Sequence, residues 1–323
     1  MPETLPTRAD VLEARARIGD AVVRTPMLRT TIEGREVWLK AEVLQHTGSF
    51  KVRGALNFVA SLDAEARARG VVAYSSGNHA QGVAAAAARF GIPATIVMPD
   101  DAPPIKMRNT KRSGATVVPY DRASGDREAI AAGIAEESGA VVVPPYDHPW
   151  IIAGQGSVGL EIVEDLIANE VIEATVVVPA SGGGLTAGIA LAVEVEDLDV
   201  TVLAAEPAGY DDHRRSLEAG ERIRVDSTEP SICDALLQPQ PGEITFAINR
   251  DRLAGAVVAS DEEVLGAMRF AFDEVKLVVE PGGAVGLAAL LAGRVPGAGP
   301  VVVVLSGGNV DPAVMARAIE ARR

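Results

Sequence analysis

Residues 71–99 read VVAYSSGNHAQGVAAAAARFGIPATIVMP. An apolar β-branched run, VVAYS, gives way to a small polar turn, then to the alanine-rich segment NHAQGVAAAAARFG, and then to a second apolar run, ATIVMP. This is strand, helix, strand. Neither strand alternates polar with apolar residues, which is the habit of strands covered on both faces, so the unit predicts parallel strands joined by a crossover helix. Gly91 stands where a helix C-cap is expected, since glycine takes the left-handed conformation there without a Cβ penalty.

The alternation continues outward. PIKMRNTKRSG (104–114) reads as a helix closed near Gly114, and TVVVPA (175–180) as a strand leading into GGGLTAGIALAVEV. Ser260 and Glu263 form the spacing of a capping box before DEEVLGAMRFAFDEV, and DPAVMARAIEARR reads as a closing helix. The class is open α/β. At 323 residues the chain exceeds the roughly 250–300 at which one core stops growing, so two domains are expected. PPYDHP (144–149) is a proline-punctuated crossing point between them.

Composition excludes several classes. With 48% hydrophobic and 23% charged residues the chain is globular, and no apolar run approaches the roughly 18 residues of a membrane helix. A net charge of −14 repels nucleic-acid phosphates and anionic lipid, so neither nucleic acid nor membrane is an expected partner. Cys233 is the lone cysteine and MPETLPTRAD has no signal-peptide pattern, so no disulfide framework is indicated and a cytoplasmic location is expected.

In open α/β sheets ligands lie beyond the carboxyl ends of strands. Ser181-Gly182-Gly183-Gly184 follows a strand and opens a helix, and its backbone N–H groups suit a single phosphate monoester, since the G-x-G-x-x-G order and a Walker lysine are both missing. A flexible strand-to-helix turn is the alternative. In YSSGNHAQG, Ser75, Ser76, Gly77, Asn78 and His79 concentrate donors suited to a carboxylate, although each alone is also an ordinary N-cap. VLSGGNVD with Ser306 and VEPGGAVG with Glu280 are further strand-end turns. Lys51, in QHTGSFKVRG, is either a solvated charge or an amine held in a cleft. A phosphate nest, an amine and a strand-end serine together are what pyridoxal phosphate requires.

The blocks KAEVLQHTGSFKVRGA, SSGNHAQG, AGQGSVGLEI, SGGGLTAGIA, LVVEPGGAVGLAA and VLSGGNVD, in this order, resemble the threonine dehydratase and serine racemase family of fold-type II pyridoxal phosphate enzymes. The resemblance covers almost the whole chain. It implies a tryptophan synthase β-like α/β fold with two open, twisted, mainly parallel sheets flanked by helices. Residues 1–64 and 149–323 would form a large cofactor-binding domain, and residues 65–148 a small domain that closes over substrate. A counterpart of the C-terminal regulatory domain carried by the family's biosynthetic members is not expected, and neither is isoleucine feedback.

Carried over residue by residue, the resemblance makes Lys51 the Schiff-base lysine. It packs Phe50 against the cofactor ring, sets Asn78 at the phenolic oxygen, gives the phosphate to Ser181, Gly182, Gly183, Gly184 and Leu185, and puts Glu280 and Ser306 in the cofactor site, Ser306 facing the ring nitrogen. Substrate carboxylate falls to Ser75, Gly77, Asn78 and His79. Ser76, alanine in most of the family's threonine dehydratases, supplies a second acid or base opposite the lysine, as in serine racemases and enzymes acting on hydroxyaspartate. Arg127 aligns with an arginine that reaches a second carboxylate, or else is a solvated helix charge. Glu206, Asp212 and the carbonyl of Tyr210, in AAEPAGYDD, match a divalent-cation site for Mg2+, or Ca2+ or Mn2+. The implied reaction is dehydration of a β-hydroxy amino acid such as threonine or serine to a 2-oxo acid and ammonia. The alternatives are serine racemisation, 3-hydroxyaspartate dehydration and, from another class, cofactor binding without catalysis. A homodimer is expected.

Overall fold

The computed structural model describes residues 5–75, 77–102, 104–121, 125–227 and 229–320. Among the described residues ten strands run in chain order: β1 (Met27–Ile32), β2 (Arg35–Lys40), β3 (Val71–Tyr74), β4 (Ala94–Pro99), β5 (Thr116–Tyr120), β6 (Val141–Val142), β7 (Glu173–Pro179), β8 (Asp199–Pro207), β9 (Leu253–Ala259) and β10 (Val301–Val304). They form a six-stranded sheet in the order β1-β2-β10-β7-β8-β9 and a four-stranded sheet in the order β5-β4-β3-β6. Among the strand pairs of the described residues, the β1–β2 hairpin alone is antiparallel. The expected α/β class with mainly parallel sheets is therefore observed.

The valines of β10 show why these strands lack polar alternation. Val301 and Val303 pack into one apolar layer with the helices Asp261–Phe270 and Pro281–Leu291, while Val302 and Val304 face the other layer, built on Pro149–Ala168 and Gly184–Ala192. Successive residues point to opposite faces, and both faces are covered. The small sheet repeats the arrangement. Val71, Ala73, Ile96 and Met98 meet the helices Lys51–Ser61 and Asn78–Phe90, and Val72 and Val97 meet Ala131 on the opposite helix Arg127–Ser138. Gly91 caps its helix with φ of 64°, and Ser260 with Glu263 closes a capping box.

Each sheet contains one reversal of strand order. From β7 the chain steps out to β8 and β9, then returns with β10 on the other side of β7; from β3 it steps to β4 and β5, then returns with β6 on the other side of β3. At such a reversal the connections leave in opposite directions and open a crevice beyond the strand ends. The segments after β7, β10, β3 and β6 all reach one cavity.

Candidate active site

The cavity has a volume of about 180 Å³, more than tenfold the roughly 10–15 Å³ that one water occupies, so it suits a small organic molecule. Its lining includes Phe50, Lys51, Ser75, Gly77, Asn78, His79, Arg127, Ser181 to Leu185, Glu280 and Ser306. Residues far apart in the chain thus converge. Ser76 lies outside the described residues.

Lys51, half-buried as a residue, opens the helix Lys51–Ser61, and its amine donates to the Pro145 carbonyl at 2.8 Å, 5.2 Å from the centre of the Phe50 ring. Burial pushes its pKa down to about 8, with the Glu280 carboxylate working the other way. An amine so shifted has a far larger neutral, nucleophilic fraction at neutral pH than a surface lysine.

The helix bearing Lys51 is held by a buried ion network. Arg53, 0% exposed, donates to Glu42 through Nε and Nη2, both at 2.8 Å, and to Glu161 through Nη1 at 2.7 Å and Nη2 at 3.0 Å. Lys40 Nζ completes it, 2.6 Å from Glu161 and 2.7 Å from the Thr25 carbonyl. Burial works to raise the Glu161 pKa, but Arg53 and Lys40 outweigh it and hold the carboxyl below its usual range. Two positive and two negative charges balance, which is the condition for burying them.

The glycine loop is pinned from behind. The Ser181 carbonyl accepts from His213 Nε2 at 2.8 Å, that of Gly182 from Thr245 Oγ1 at 2.6 Å, and that of Gly183 from Thr186 Oγ1 at 2.8 Å. Gly183 has φ of 90°, and a Cβ there would lie 2.7 Å from His213 Cε1, so only glycine fits. A Cβ on Gly182 would strike the Tyr146 ring. The result is a run of main-chain N–H groups at a helix N-terminus, a cradle for an anion.

Opposite the loop, Asn78 Nδ2 donates to Glu280 Oε1 at 2.5 Å, and Asn78 Oδ1 accepts from Asn309 Nδ2 at 2.7 Å. His79 is buried and its Nε2 is committed to the Val143 carbonyl at 2.9 Å; burial and the nearby Lys51 push the imidazole down to about 3, so it is neutral. Arg127 is half-buried, its guanidinium 5.7 Å from the centre of the Tyr74 ring. Ser306 lies two residues beyond the end of β10, and its carbonyl accepts from Phe50 N at 3.2 Å.

Glu206 and Asp212 lie outside this lining. Both oxygens of Glu206 accept main-chain bonds, from His213 N at 2.7 Å and Arg214 N at 2.9 Å, whereas both oxygens of Asp212 are buried without a partner. Burial, reinforced by Asp212, raises Glu206 well above the carboxylate range; burial pushes Asp212 up to about 8. The Tyr210 hydroxyl donates to the Glu229 carbonyl at 3.0 Å. Among the described residues no group of three or more His, Cys, Asp or Glu side chains has the geometry of a metal site.

Sequence reasoning passed over Pro145, Tyr146 and Asp147, which it read only as a domain crossing. Tyr146 lines the cavity, and Asp147 accepts from the main-chain N–H groups of Glu243, Ile244 and Thr245 at 2.8 to 3.0 Å, capping the helix whose Thr245 pins Gly182. Asp147 beside the prolines was the visible signal, since Asp is a preferred cap residue.

Comparison with known proteins agrees with this geometry. A family described as pyridoxal-phosphate dependent enzyme matches residues 18–307. The chain is 39% identical over 312 residues to an L-threo-3-hydroxyaspartate ammonia-lyase of Saccharomyces cerevisiae, covering 95% of this chain and 94% of the relative. It is 41% identical over 317 residues to an L-threonine ammonia-lyase of Thermotoga maritima, covering 97% and 78%. Among solved structures it is similar to maize serine racemase, with a TM-score of 0.90 and 37% identity over 98% of both chains.

Proposed function

The chain belongs to the family of pyridoxal-phosphate dependent enzymes, and on that premise we propose that it is an ammonia-lyase, taking a small β-hydroxy α-amino acid such as threonine or serine to a 2-oxo acid and ammonia. One observation carries this reading: the Lys51 amine, pushed down to about 8, faces a cavity floored by a glycine loop into which no Cβ fits at Gly182 or Gly183.

The residues present fit pyridoxal phosphate. Lys51 would hold it covalently, Ser181 to Leu185 would take its phosphate, Phe50 would pack on its ring, Asn78 and Glu280 would flank it, and Ser306 would face its ring nitrogen. Bound there, the cofactor supplies an electron sink for the carbanion left when the α-proton departs. Lys51 Nζ is the base suited to take that proton, because its lowered pKa leaves it neutral often enough at working pH. Ser75, Gly77, Asn78 and His79 would grip the substrate carboxylate; the neutral His79 has its one ring N–H committed to the Val143 carbonyl, so its contribution would come from its main-chain N–H at the start of the helix Asn78–Phe90. We divide the chain into a large domain of residues 1–64 and 149–323 and a small one of 65–148; the four-stranded sheet, drawn wholly from Val71 to Val142, supports that division. Closure of the small domain would exclude water.

A divalent cation, Mg2+ or alternatively Ca2+ or Mn2+, belongs to this reading. The unpartnered oxygens of Asp212 and the raised Glu206 fit such a guest, with the Tyr210 carbonyl as a further ligand. Homodimer formation and a cytoplasmic location are proposed likewise; among the described residues no helix is long and apolar enough to cross a membrane.

A second reading is favoured by Arg127, a cation at the cavity wall able to pair with a second carboxylate, which points to 3-hydroxyaspartate. Ser76, as an acid or base on the face opposite Lys51, would add racemisation of serine. The test is ammonia and 2-oxo acid release from L-threonine, L-serine, D-serine and both 3-hydroxyaspartate diastereomers. Turnover of an L-β-hydroxy amino acid supports the lyase, and release from none of them contradicts it. Exclusive turnover of hydroxyaspartate, lost in Arg127→Ala, selects the second reading.

A further inference from the structure

His213 takes no part in the chemistry described above, does not line the cavity, and is fully buried. We propose that it is a positioning residue for the cofactor phosphate, acting through the peptide that joins Ser181 to Gly182. The proposal rests on reading Ser181 to Leu185 as the phosphate cradle.

The argument starts from the planar trans peptide, in which the carbonyl of one residue and the N–H of the next point in opposite directions. Fixing the carbonyl on the far side of the loop therefore aims the following N–H at the cavity. Thr245 does this for the Gly182–Gly183 peptide, and Thr186 for Gly183–Gly184. For Ser181–Gly182 the group is the imidazole: Nε2 lies 2.8 Å from the Ser181 carbonyl, so this nitrogen carries the proton. Nδ1 is buried without a partner, which leaves the bond to Ser181 as the ring's one polar anchor. The ring itself is placed from below, because the His213 main-chain N–H donates to Glu206 Oε1 at 2.7 Å. From above, it stands where a Cβ on Gly183 would need to be, 2.7 Å from Cε1. An imidazole held on two sides with a single outlet for its proton is a strut. Remove its donor and the Ser181–Gly182 peptide is free to turn, taking the Gly182 N–H out of line with the phosphate.

The test separates phosphate recognition from general stability. Full-length enzyme, stripped of cofactor, is titrated with pyridoxal phosphate and with pyridoxal, for the wild type, His213→Gln and His213→Leu. The last two are similar in bulk, but only glutamine retains an N–H donor. The expected result is that His213→Leu loses about tenfold in the preference for pyridoxal phosphate over pyridoxal, roughly the worth of one oriented hydrogen bond. Pyridoxal affinity should stay as in the wild type, and His213→Gln should recover most of the preference. Equal weakening of both ligands in His213→Leu would overturn the proposal in favour of a purely structural histidine, as would identical behaviour of the glutamine and leucine variants. A wild type that binds pyridoxal as tightly as pyridoxal phosphate would instead overturn the cradle on which the proposal stands. Melting temperatures of the three proteins, taken alongside, show whether any loss follows unfolding; a loss that tracks melting and not the phosphate counts against the strut.

Discussion

Replacing Arg53 by methionine should destabilise the protein in a way that depends on pH. Arg53 is fully buried and shares its guanidinium between Glu42 and Glu161, with further bonds to Ser157 Oγ and the Val23 carbonyl, both at 3.1 Å. Methionine fills much of the same space but leaves Glu42 with the Thr25 hydroxyl, at 2.5 Å, and Glu161 with Lys40 alone. Removing one partner from a buried ion pair costs about 3–5 kcal/mol, against a total stability of about 5–15 kcal/mol. Converted to melting temperature this is a drop on the order of 5–15 °C. The sign with pH follows from linkage. In the wild type Arg53 helps to hold Glu161 below the usual carboxylate range against its burial; with Lys40 as its one remaining cation, the buried Glu161 carboxyl should rise above its unfolded value of about 4.3. The folded variant then binds protons that the unfolded chain has released, so its stability falls as pH rises from that value. The deficit should therefore be larger at pH 8 than at pH 5, measured by thermal melts of both holoenzymes followed by far-ultraviolet circular dichroism. Because Lys51 lies two residues away in the first turn of the same helix, the variant should also retain less cofactor. A deficit under about 1 kcal/mol at pH 8, or one that does not shrink on acidification, would refute the reasoning: the network would then be no more than a surface-like set of pairs.

The apoenzyme should capture pyridoxal phosphate with a rate that rises with pH about a midpoint near 8, because attack requires the neutral amine; stopped-flow absorbance checks this, and a midpoint at 10 or above would place Lys51 in ordinary solvent. Chelation should lower the melting temperature more at pH 8.5 than at pH 6, because Asp212, pushed up to about 8 without a cation, sheds its proton over that interval and then stands charged and unpaired. A chelator effect independent of pH counts against the Glu206 and Asp212 site. Asp147→Ala should cost about 0.5–2 kcal/mol as a lost helix cap and loosen the Gly182 carbonyl, read as weaker cofactor retention in dialysis; unchanged retention would show that the cap does not reach the loop.

The fold was legible where local chemistry and tertiary environment agree. Apolar β-branched runs such as VVVV at 301–304 have one stable destination, a strand covered on both faces, and the strand-end glycines at 182–184 mark the anion cradle for the same local reason. Lys51 was ambiguous from its neighbours alone, which left a solvated charge and a cleft amine equally open; the structure places it in the cavity lining. The ion network was not legible, because Lys40, Glu42, Arg53 and Glu161 are scattered and charged residues default to the surface. Glu161 inside the apolar stretch AGQGSVGLEIV was a trace of it, a lone charge where the helix has no solvent face. Pro145 and Tyr146 were illegible as site residues for another reason, and Asp147 showed only as a possible cap: their partners, Lys51 and the helix Glu243–Arg252, are about a hundred residues away in the chain and meet them only in the folded protein.

The most direct test of the whole account is to reduce the purified holoenzyme with borohydride, digest it and map the pyridoxyl group by mass spectrometry, with Lys51→Ala in parallel. The account predicts a single modified peptide carrying the group on Lys51, with neither label nor ammonia release in the variant. A label on any other lysine, or a variant that still releases ammonia from an L-β-hydroxy amino acid, would contradict it.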